Sequence, residues 1–219
     1  MKTAILLGAS GLTGGFVLDE LLKDPNYGVI KLFNRTALGK SHPKIQEIIC
    51  DLMNLEEQTE SFKGDVVFCC IGTTKKKTPD QKLYHQIDFG IPVSAAKLCV
   101  KNGIESMITI SSMGANVKSS IFYSRTKGEM EQAIMAENLP HAYFVQPSFI
   151  GGNRTEKRAG EKIGIAIFKF IQPLLIGPLR KYRMIESKTI AKSMILLAEQ
   201  GFSKKILESD EIQRLADSN

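Results

Sequence analysis

A tyrosine and a lysine four residues apart form the pattern with the clearest chemistry. Tyr123 and Lys127 belong to the sequence Y-x-x-x-K, inside a segment with helical spacing. On a helix, residues i and i+4 share one face and lie about 6 Å apart along the axis. A free tyrosine titrates near pH ~10, and a neighbouring ammonium favours its phenolate. The pair could therefore exchange a proton with a carbonyl oxygen during hydride transfer.

The same spacing also occurs at Tyr27 and Lys31. These two lie in a predicted strand, where four residues span about 13 Å, so they cannot form such a pair. A hydroxyl that polarises the carbonyl oxygen would complete the Tyr123 site. Ser111 and Ser112 end a predicted strand, and we favour Ser112 as the catalytic serine, with Ser111 as the alternative.

A glycine-rich loop at Gly8–Gly14 predicts a bound phosphate. Its sequence, G-x-x-G-x-x-G, joins the predicted strand Ala4–Leu7 to the predicted helix Leu12–Leu22. Glycines allow a tight turn and a close approach of the backbone to a pyrophosphate. The free N–H groups and the positive end of the helix then bind the anion, and Ser10 and Thr13 can add hydroxyl donors. The residues assigned to the cofactor here are Gly8, Ser10, Gly11, Leu12, Thr13 and Gly14.

The end of the second predicted strand indicates which dinucleotide binds. An acid about 20 residues beyond the last glycine would bind the ribose of NAD, whereas an arginine would pair with the 2′-phosphate of NADP. The chain has Asn34 and Arg35 there and no acid. Arg35 can form a bidentate pair with phosphate, which favours NADP(H); a solvated loop arginine is the alternative.

Two further strand ends are expected at the same edge of the sheet. Asp51 and Leu52 follow the third strand, where the acid could hold the adenine amino group; a helix N-cap is the alternative for Asp51. Ile71 and Gly72 follow the fourth strand, and a glycine there lets the cofactor pass close to the backbone. The lysine run 75–77 is better explained as a solvated loop than as a phosphate contact.

Strand-like and helix-like segments alternate through the first two thirds of the chain, which predicts an α/β fold with a Rossmann-like, doubly wound parallel sheet. The predicted strands are Ala4–Leu7, Val29–Phe33, Ile45–Cys50, Asp65–Ile71, Ser106–Ser111 and Ala142–Gln146. The further predicted helices are Asp80–Val100 (with a break or restart at Gly90 and Pro92), Phe122–Asn138, Ser187–Glu199 and Ser209–Ala216. We expect a single domain, 1–219, with a cofactor-binding core (1–147) and a substrate-covering annex (148–219). The apolar segment Ile163–Leu179 is interpreted as core packing or a lid, with a partner face or a membrane surface as alternatives.

Composition excludes several classes of protein. The 219 residues are 43% hydrophobic and 24% charged, as in ordinary globular domains. The net charge of +6 attracts anions such as phosphorylated cofactors. Nucleic-acid binding is not expected, because basic residues do not alternate with aromatic residues along the sequence. Four cysteines without C-x-x-C spacing and three scattered histidines argue against a metal site. We find no transmembrane window and no signal peptide, and therefore expect a cytoplasmic protein.

These motifs carry a family resemblance. The glycine loop, the Ser111-Ser112 pair and Y-x-x-x-K resemble those of a short-chain dehydrogenase/reductase. Three stretches resemble more narrowly the atypical branch of Tat-interacting-protein-like oxidoreductases: Cys69–Thr74, Ser111–Ala115, and Phe122-Tyr123 with Lys127-Gly128-Glu129. The resemblance implies NADPH bound by Ser10, Leu12, Thr13, Arg35, Ile71, Gly72, Tyr123 and Lys127, with further contacts near Ile150 and Arg154.

The chain departs from that family at two points. It has no counterpart of the helix asparagine in the N-A-G motif, so the proton relay to solvent is unplaced. It also has Gln146-Pro147-Ser148 where the resemblance implies Arg-Pro-Ser. We expect the loss of that cation to alter substrate or cofactor contacts at this position.

The leading hypothesis is an NADPH-dependent reductase of a small-molecule carbonyl substrate. A non-catalytic NADP(H)-binding redox sensor that acts through a protein partner is the main alternative, although it would not need both Tyr123 and Lys127. An epimerase or dehydratase is a third, but such enzymes carry a larger C-terminal domain than the annex offers. A protein partner and a homo-oligomer both stay open.

Overall fold

The computed structural model describes residues 1–151 and 175–218. Its main sheet has seven parallel strands, in the order β3-β2-β1-β4-β5-β6-β9. The strands are β1 (Lys2–Leu7), β2 (Tyr27–Asn34), β3 (Ile45–Ile49), β4 (Val66–Cys69), β5 (Ser106–Ile110), β6 (His141–Gln146) and β9 (Ile206–Glu208). The short strands β7 (Ile150–Gly151) and β8 (Ile185–Glu186) pair separately. The order reverses between β1 and β4, which is where open α/β sheets bind ligands.

Helices cover both faces of this sheet, and together with the parallel strands they confirm the Rossmann-like fold. The α-helices are α1 (Leu12–Lys23), α2 (Gln81–His85), α3 (Ile91–Lys101), α4 (Phe122–Ala136), α5 (Ser187–Gln200) and α6 (Ser209–Asp217). Short 3₁₀ helices span Leu52–Gln58 and Gly177–Tyr182, and a π turn at Gln86–Gly90 joins α2 to α3. The restart expected near Pro92 is therefore this π turn, with Pro92 in the first turn of α3, where a missing N–H costs no hydrogen bond.

The core has two halves because successive strand residues face opposite sides of the sheet. In β1, Ala4 and Leu6 pack with α1, α5 and α6, whereas Ile5 and Leu7 pack with α3 and α4. All four side chains are fully buried. Strands covered on both faces lack polar positions, which explains the continuous apolar run in β4.

The C-terminal part of the chain is built into these layers. β9 adds a seventh strand beside β6, and α5 packs against α1. The sequence did not predict β9, because three residues are too few to show a strand period. The division at residue 147 and the covering of substrate stay predictions. Of the apolar segment Ile163–Leu179, residues 163–174 lie outside the described residues.

Within the described ranges, no helix is long and apolar enough to cross a bilayer. The same ranges contain no group of three or more histidine, cysteine or acidic side chains arranged to hold a metal ion.

Candidate cofactor site and active site

The loop between β1 and α1 has the form of an anion site. Gly8 has a φ of +87°, and a Cβ there would lie 2.7 Å from the Cys70 carbonyl oxygen, so the loop packs directly on the end of β4. A Cβ at Gly14 would lie 2.0 Å from the Gly8 carbonyl oxygen. Gly11 is the N-cap residue of α1, so its position supplies no side-chain hydrogen bond to the first turn, and that turn contains no acidic residue. The N–H groups at this helix end are therefore suited to a pyrophosphate.

The side chains of the loop divide between solvent and core. Ser10 and Gly11 are exposed, Leu12 is half-buried and Thr13 is buried. Ser10 thus has its hydroxyl at the surface of the loop, whereas Thr13 packs beneath it.

The turn after β2 leaves an arginine at the surface. Asn34 is buried and its Nδ2 donates to Glu47 Oε1 at 2.8 Å, while the backbone N–H of Leu38 donates to the same oxygen at 2.6 Å. Arg35 is exposed, and no acid in the part of the chain that the structure describes forms an ion pair with it. The guanidinium is available to a ligand at the carboxyl end of β2.

Asp51 takes the helix-capping role that the sequence left as the alternative. Its Oδ1 accepts from the backbone N–H of Met53 at 3.0 Å, and its Oδ2 accepts from Asn54 Nδ2 at 3.0 Å. Leu52 is a core residue, 5% exposed. Both side chains serve the fold, so an adenine contact by Asp51 or Leu52 stays a prediction.

The helix α4 brings Tyr123 and Lys127 to one face. Tyr123 is 40% exposed at the start of the helix, whereas Lys127 is 3% exposed one turn later. Gly128 makes this placement possible, because a Cβ there would lie 2.4 Å from the backbone of Asn116. The loop that follows Ser112 therefore lies directly against the helix.

The two serines at the end of β5 differ in access. Ser111 is 2% exposed, while Ser112 is half-buried and its Oγ donates only a long bond of 3.4 Å, to the Met113 carbonyl oxygen. Ser112 is thus the serine with a hydroxyl near the surface of the site.

Asp88 is a site residue that the sequence analysis missed. It lies in the π turn, is 1% exposed, and its Oδ1 lies 3.0 Å from Lys127 Nζ. Its Oδ2 accepts a hydrogen bond from the backbone N–H of Thr73 at 2.8 Å. Helical spacing contained the signal: Tyr84, Asp88, Ile91 and Ala95 recur on one buried face, so a lone acid interrupts an apolar stripe.

Two hydrogen bonds hold the loop after β4 beside the ion pair of Asp88 and Lys127. Tyr84 donates its hydroxyl to the Thr73 carbonyl oxygen at 3.2 Å, so Thr73 is fixed at both its N–H and its carbonyl. Ile71 is half-buried and Gly72 is exposed. A Cβ at Gly72 would lie 3.5 Å from Asp88 Oδ1 and 3.8 Å from Lys127 Nζ. The missing side chain at Gly72 therefore leaves open space beside the pair.

The ion pair determines the charge of the lysine. Burial alone lowers the pKa of Lys127, but the neighbouring Asp88 and Tyr123 outweigh burial and raise it above its usual value. Lys127 is therefore an ammonium at neutral pH. Such a group, next to the open space at Gly72, suits a cofactor that carries phosphates and ribose hydroxyls.

A second buried acid lies one turn further along α4. Glu131 is 5% exposed, and Gln146 Nε2 donates to its Oε1 at 2.8 Å and to its Oε2 at 3.1 Å. Burial raises the pKa of the Glu131 carboxyl. Gln146, which replaces the expected arginine, is thus the buried partner of this acid.

The remaining predicted contacts lie beyond β6. The backbone N–H of Met113 donates to the Pro147 carbonyl oxygen at 3.1 Å, so the ends of β5 and β6 are adjacent. Ile150 is half-buried in β7, where it pairs with Ile185 of β8. Arg154 lies outside the described residues.

Known proteins share this sequence and fold. A family described as NAD(P)H-binding matches residues 8–163. The chain is 28% identical over 233 aligned residues to "Protein FMP52, mitochondrial" of Candida albicans, covering 99% of each chain. It is 29% identical over 171 residues to Protein HTATIP2 of Rattus norvegicus, covering 76% of this chain and 70% of that one. The Bordetella bronchiseptica enzyme WbmH, solved in complex with NAD⁺, has the same fold, with a TM-score of 0.70 at 14% identity over all of this chain and 80% of that one.

The relatives contradict the expected cytoplasmic location. The similar proteins of Candida albicans, Lodderomyces elongisporus and Scheffersomyces stipitis are all named mitochondrial. The cytoplasmic prediction was wrong because it rested on composition and on hydropathy alone. Neither distinguishes one aqueous compartment from another.

Proposed function

The chain belongs to the NAD(P)H-binding family, and on that premise we propose that it is an NADPH-dependent oxidoreductase that reduces a small carbonyl compound. The observation that carries the proposal is the common face of α4, where an exposed Tyr123 lies one turn before a buried, charged Lys127. This face lies beside Gly72, at the edge of the sheet that carries the glycine loop.

The residues of the site divide the acid–base work. A reduced nicotinamide held at this edge of the sheet would be the source of hydride for the carbonyl carbon. Tyr123 gives its hydroxyl proton to the carbonyl oxygen as that oxygen gains charge, so the product is an alcohol and the phenolate regains a proton from solvent. Lys127 stabilises the phenolate, because opposite charges within a few ångströms favour the charged form. Ser112 donates a hydrogen bond to the same oxygen.

Arg35 supports a preference for NADP(H). Its guanidinium is exposed at the end of β2, and Asn34 beside it is neutral and turned toward Glu47. A 2′-phosphate would gain a charge-assisted hydrogen bond there. The ribose hydroxyl of NADH would find no carboxylate from Asn34 or Arg35.

The rim of the proposed active site favours an apolar substrate. Ile121, two residues before Tyr123, is 64% exposed, and Phe149, which follows β6, is 65% exposed. Both belong to the carboxyl edge of the sheet, where β5 and β6 end. We propose that the annex beyond residue 147 covers a carbonyl compound with an alkyl or aryl group at this edge.

The first test is binding. We would titrate the purified chain separately with NADPH and NADH and follow the fluorescence of the reduced nicotinamide, which no tryptophan obscures. Tighter binding of NADPH is expected. Binding of neither cofactor would refute the proposal.

The second test is turnover of a panel of alkyl and aryl ketones and aldehydes, followed by the absorbance of NADPH. Tyr123→Phe should lower turnover by about 10²-fold or more while the affinity for NADPH changes little. Tyr27→Phe is the matched control. The Tyr27 hydroxyl is buried and unpartnered among the described residues, and Tyr27 lies at the amino end of β2, whereas the proposed site lies at the carboxyl ends of the strands. Turnover that survives Tyr123→Phe would refute the acid–base assignment. Tight binding of NADPH without turnover of any carbonyl would favour the regulatory alternative.

A further inference from the structure

We propose that Asp88 is a positioning residue, whose carboxylate fixes the Lys127 ammonium beside Gly72 and keeps it protonated for contact with the cofactor. The inference rests on the proposed function, but the effect of Asp88 on the charge of Lys127 is testable without any cofactor. Among the described residues, the ion pair of Asp88 is with Lys127 and its hydrogen bond is with Thr73, so it acts on the site through Lys127.

The carboxylate of Asp88 connects two elements of the site. One oxygen lies 3.0 Å from Lys127 Nζ on α4, and the other accepts from the backbone N–H of Thr73 in the loop after β4. Both charged side chains are almost fully buried, with 4% of the lysine side chain and 1% of the aspartate side chain exposed. Movement of the carboxylate would therefore displace the lysine and the loop together.

Among residues 1–151 and 175–218, no other group shares the role of Asp88 toward Lys127. The groups that interact with it electrostatically are Asp88, Tyr123, Cys69 and Glu131. Burial raises the pKa of the Cys69 thiol to about 11, so Cys69 is neutral near pH ~7. Burial also raises the pKa of Glu131, and that carboxyl already accepts from Gln146. Asp88 is the carboxylate in ion-pair contact.

Asp88→Asn is the informative variant because it removes the charge and keeps the size. The amide oxygen can still accept from the Thr73 N–H, so the loop retains its anchor. Lys127 would then be a buried amine without a counter-ion, and burial favours the neutral form of such an amine. We therefore expect Lys127 in this variant to lose its proton below the ordinary lysine value of about 10.4.

The first readout uses the chain without cofactor. In protein labelled with ¹³C-lysine, the Cε resonance of Lys127 would be assigned by its loss in Lys127→Arg and followed from about pH 6 to pH 10. The wild-type resonance should not titrate in this range, whereas that of Asp88→Asn should. A wild-type Lys127 that titrates below the ordinary lysine value would overturn the inference even if Asp88→Asn fails to fold.

The second readout is the affinity for NADPH across the same pH range. The wild-type contribution of Lys127 should be constant, whereas Asp88→Asn should lose about 10- to 100-fold affinity, relative to wild type, as pH rises and the ammonium contact disappears. Asp88→Asn combined with Lys127→Arg is the control, since arginine stays charged and should abolish this extra pH dependence. Asp88→Glu keeps the carboxylate and should restore the wild-type profile.

The outcomes separate the inference from the proposed function. If wild type binds NADPH and Lys127 titrates alike in wild type and Asp88→Asn, the inference fails and the function stands. An affinity loss in Asp88→Asn that is independent of pH and unchanged with Lys127→Arg would also overturn it, because Asp88 would then be merely structural. If wild type binds no NADPH but the lysine titration shifts, the function fails together with the cofactor role, while the hold of Asp88 on Lys127 is confirmed.

Discussion

Gly14→Ala tests whether close packing requires glycine in the phosphate loop, even though alanine has the higher helix propensity. The added methyl carbon would lie 2.0 Å from the Gly8 carbonyl oxygen, whereas ordinary contact begins at 3.4 Å. The loop and the first turn of α1 must therefore separate by about 1.4 Å, and the obstructing atom is backbone. Overpacking of this kind costs about 1–3 kcal/mol. The shift also misaligns the N–H groups that would bind the pyrophosphate.

The adjacent Gly15→Ala is the matched control. Its methyl would meet only the Ala9 carbonyl oxygen, at 3.6 Å, which is an ordinary contact. Because alanine is favoured over glycine inside a helix, this variant should gain up to about 1 kcal/mol. Urea unfolding measures both free energies, and nicotinamide fluorescence measures the affinity for NADPH. The reasoning is refuted if the two variants change stability with the same sign, or if Gly14→Ala binds NADPH as wild type does.

Three further changes test individual side chains. Arg35→Ala should weaken NADPH binding about 10- to 100-fold and leave NADH binding unchanged, because one charge-assisted contact is removed; parallel titrations measure this, and an equal loss for both cofactors would contradict it. Because burial raises the pKa of Glu131 in the folded chain, its contribution to stability is complete below about pH 4.3 and decreases as pH rises through the raised pKa. Glu131→Gln should therefore gain thermal stability relative to wild type as pH rises above about 4.3, and a difference independent of pH would contradict this. Ser112→Ala should lower turnover about 10²-fold while Ser111→Ala mainly changes stability, as steady-state kinetics and melting would show; the reverse pattern would transfer the hydroxyl role to Ser111.

Much of the fold was predictable because it depends on local patterns. Strands buried on both faces must be apolar throughout, and the run Val66–Cys69 shows this directly. Glycine at position 14 is required by a backbone contact within the loop itself, to the Gly8 carbonyl oxygen. The pairing of Tyr123 with Lys127 follows from helical spacing alone. These features need no knowledge of distant parts of the chain.

The features that the sequence did not reveal depend on contacts between distant segments. β9 has three residues and is recognised as a strand by its pairing with β6, more than 50 residues earlier in the chain. Asp88 and Lys127 are 39 positions apart, so their contact depends on how α4 packs against the π turn. Asp51 could either cap a helix or bind adenine, and its capping hydrogen bonds are evident only from the 3₁₀ helix that follows it.

The buried pair of Asp88 and Lys127 is poorly explained by stability. Removing two charges from water costs several kilocalories per mole, and their attraction often only balances that cost. Apolar side chains of similar volume would fill the same space without it, as they do along the rest of the stripe that includes Tyr84 and Ile91. The pair instead lies at the carboxyl edge of the sheet, beside the open space at Gly72. A costly charge in that position is better explained by a ligand that approaches it than by the fold that surrounds it.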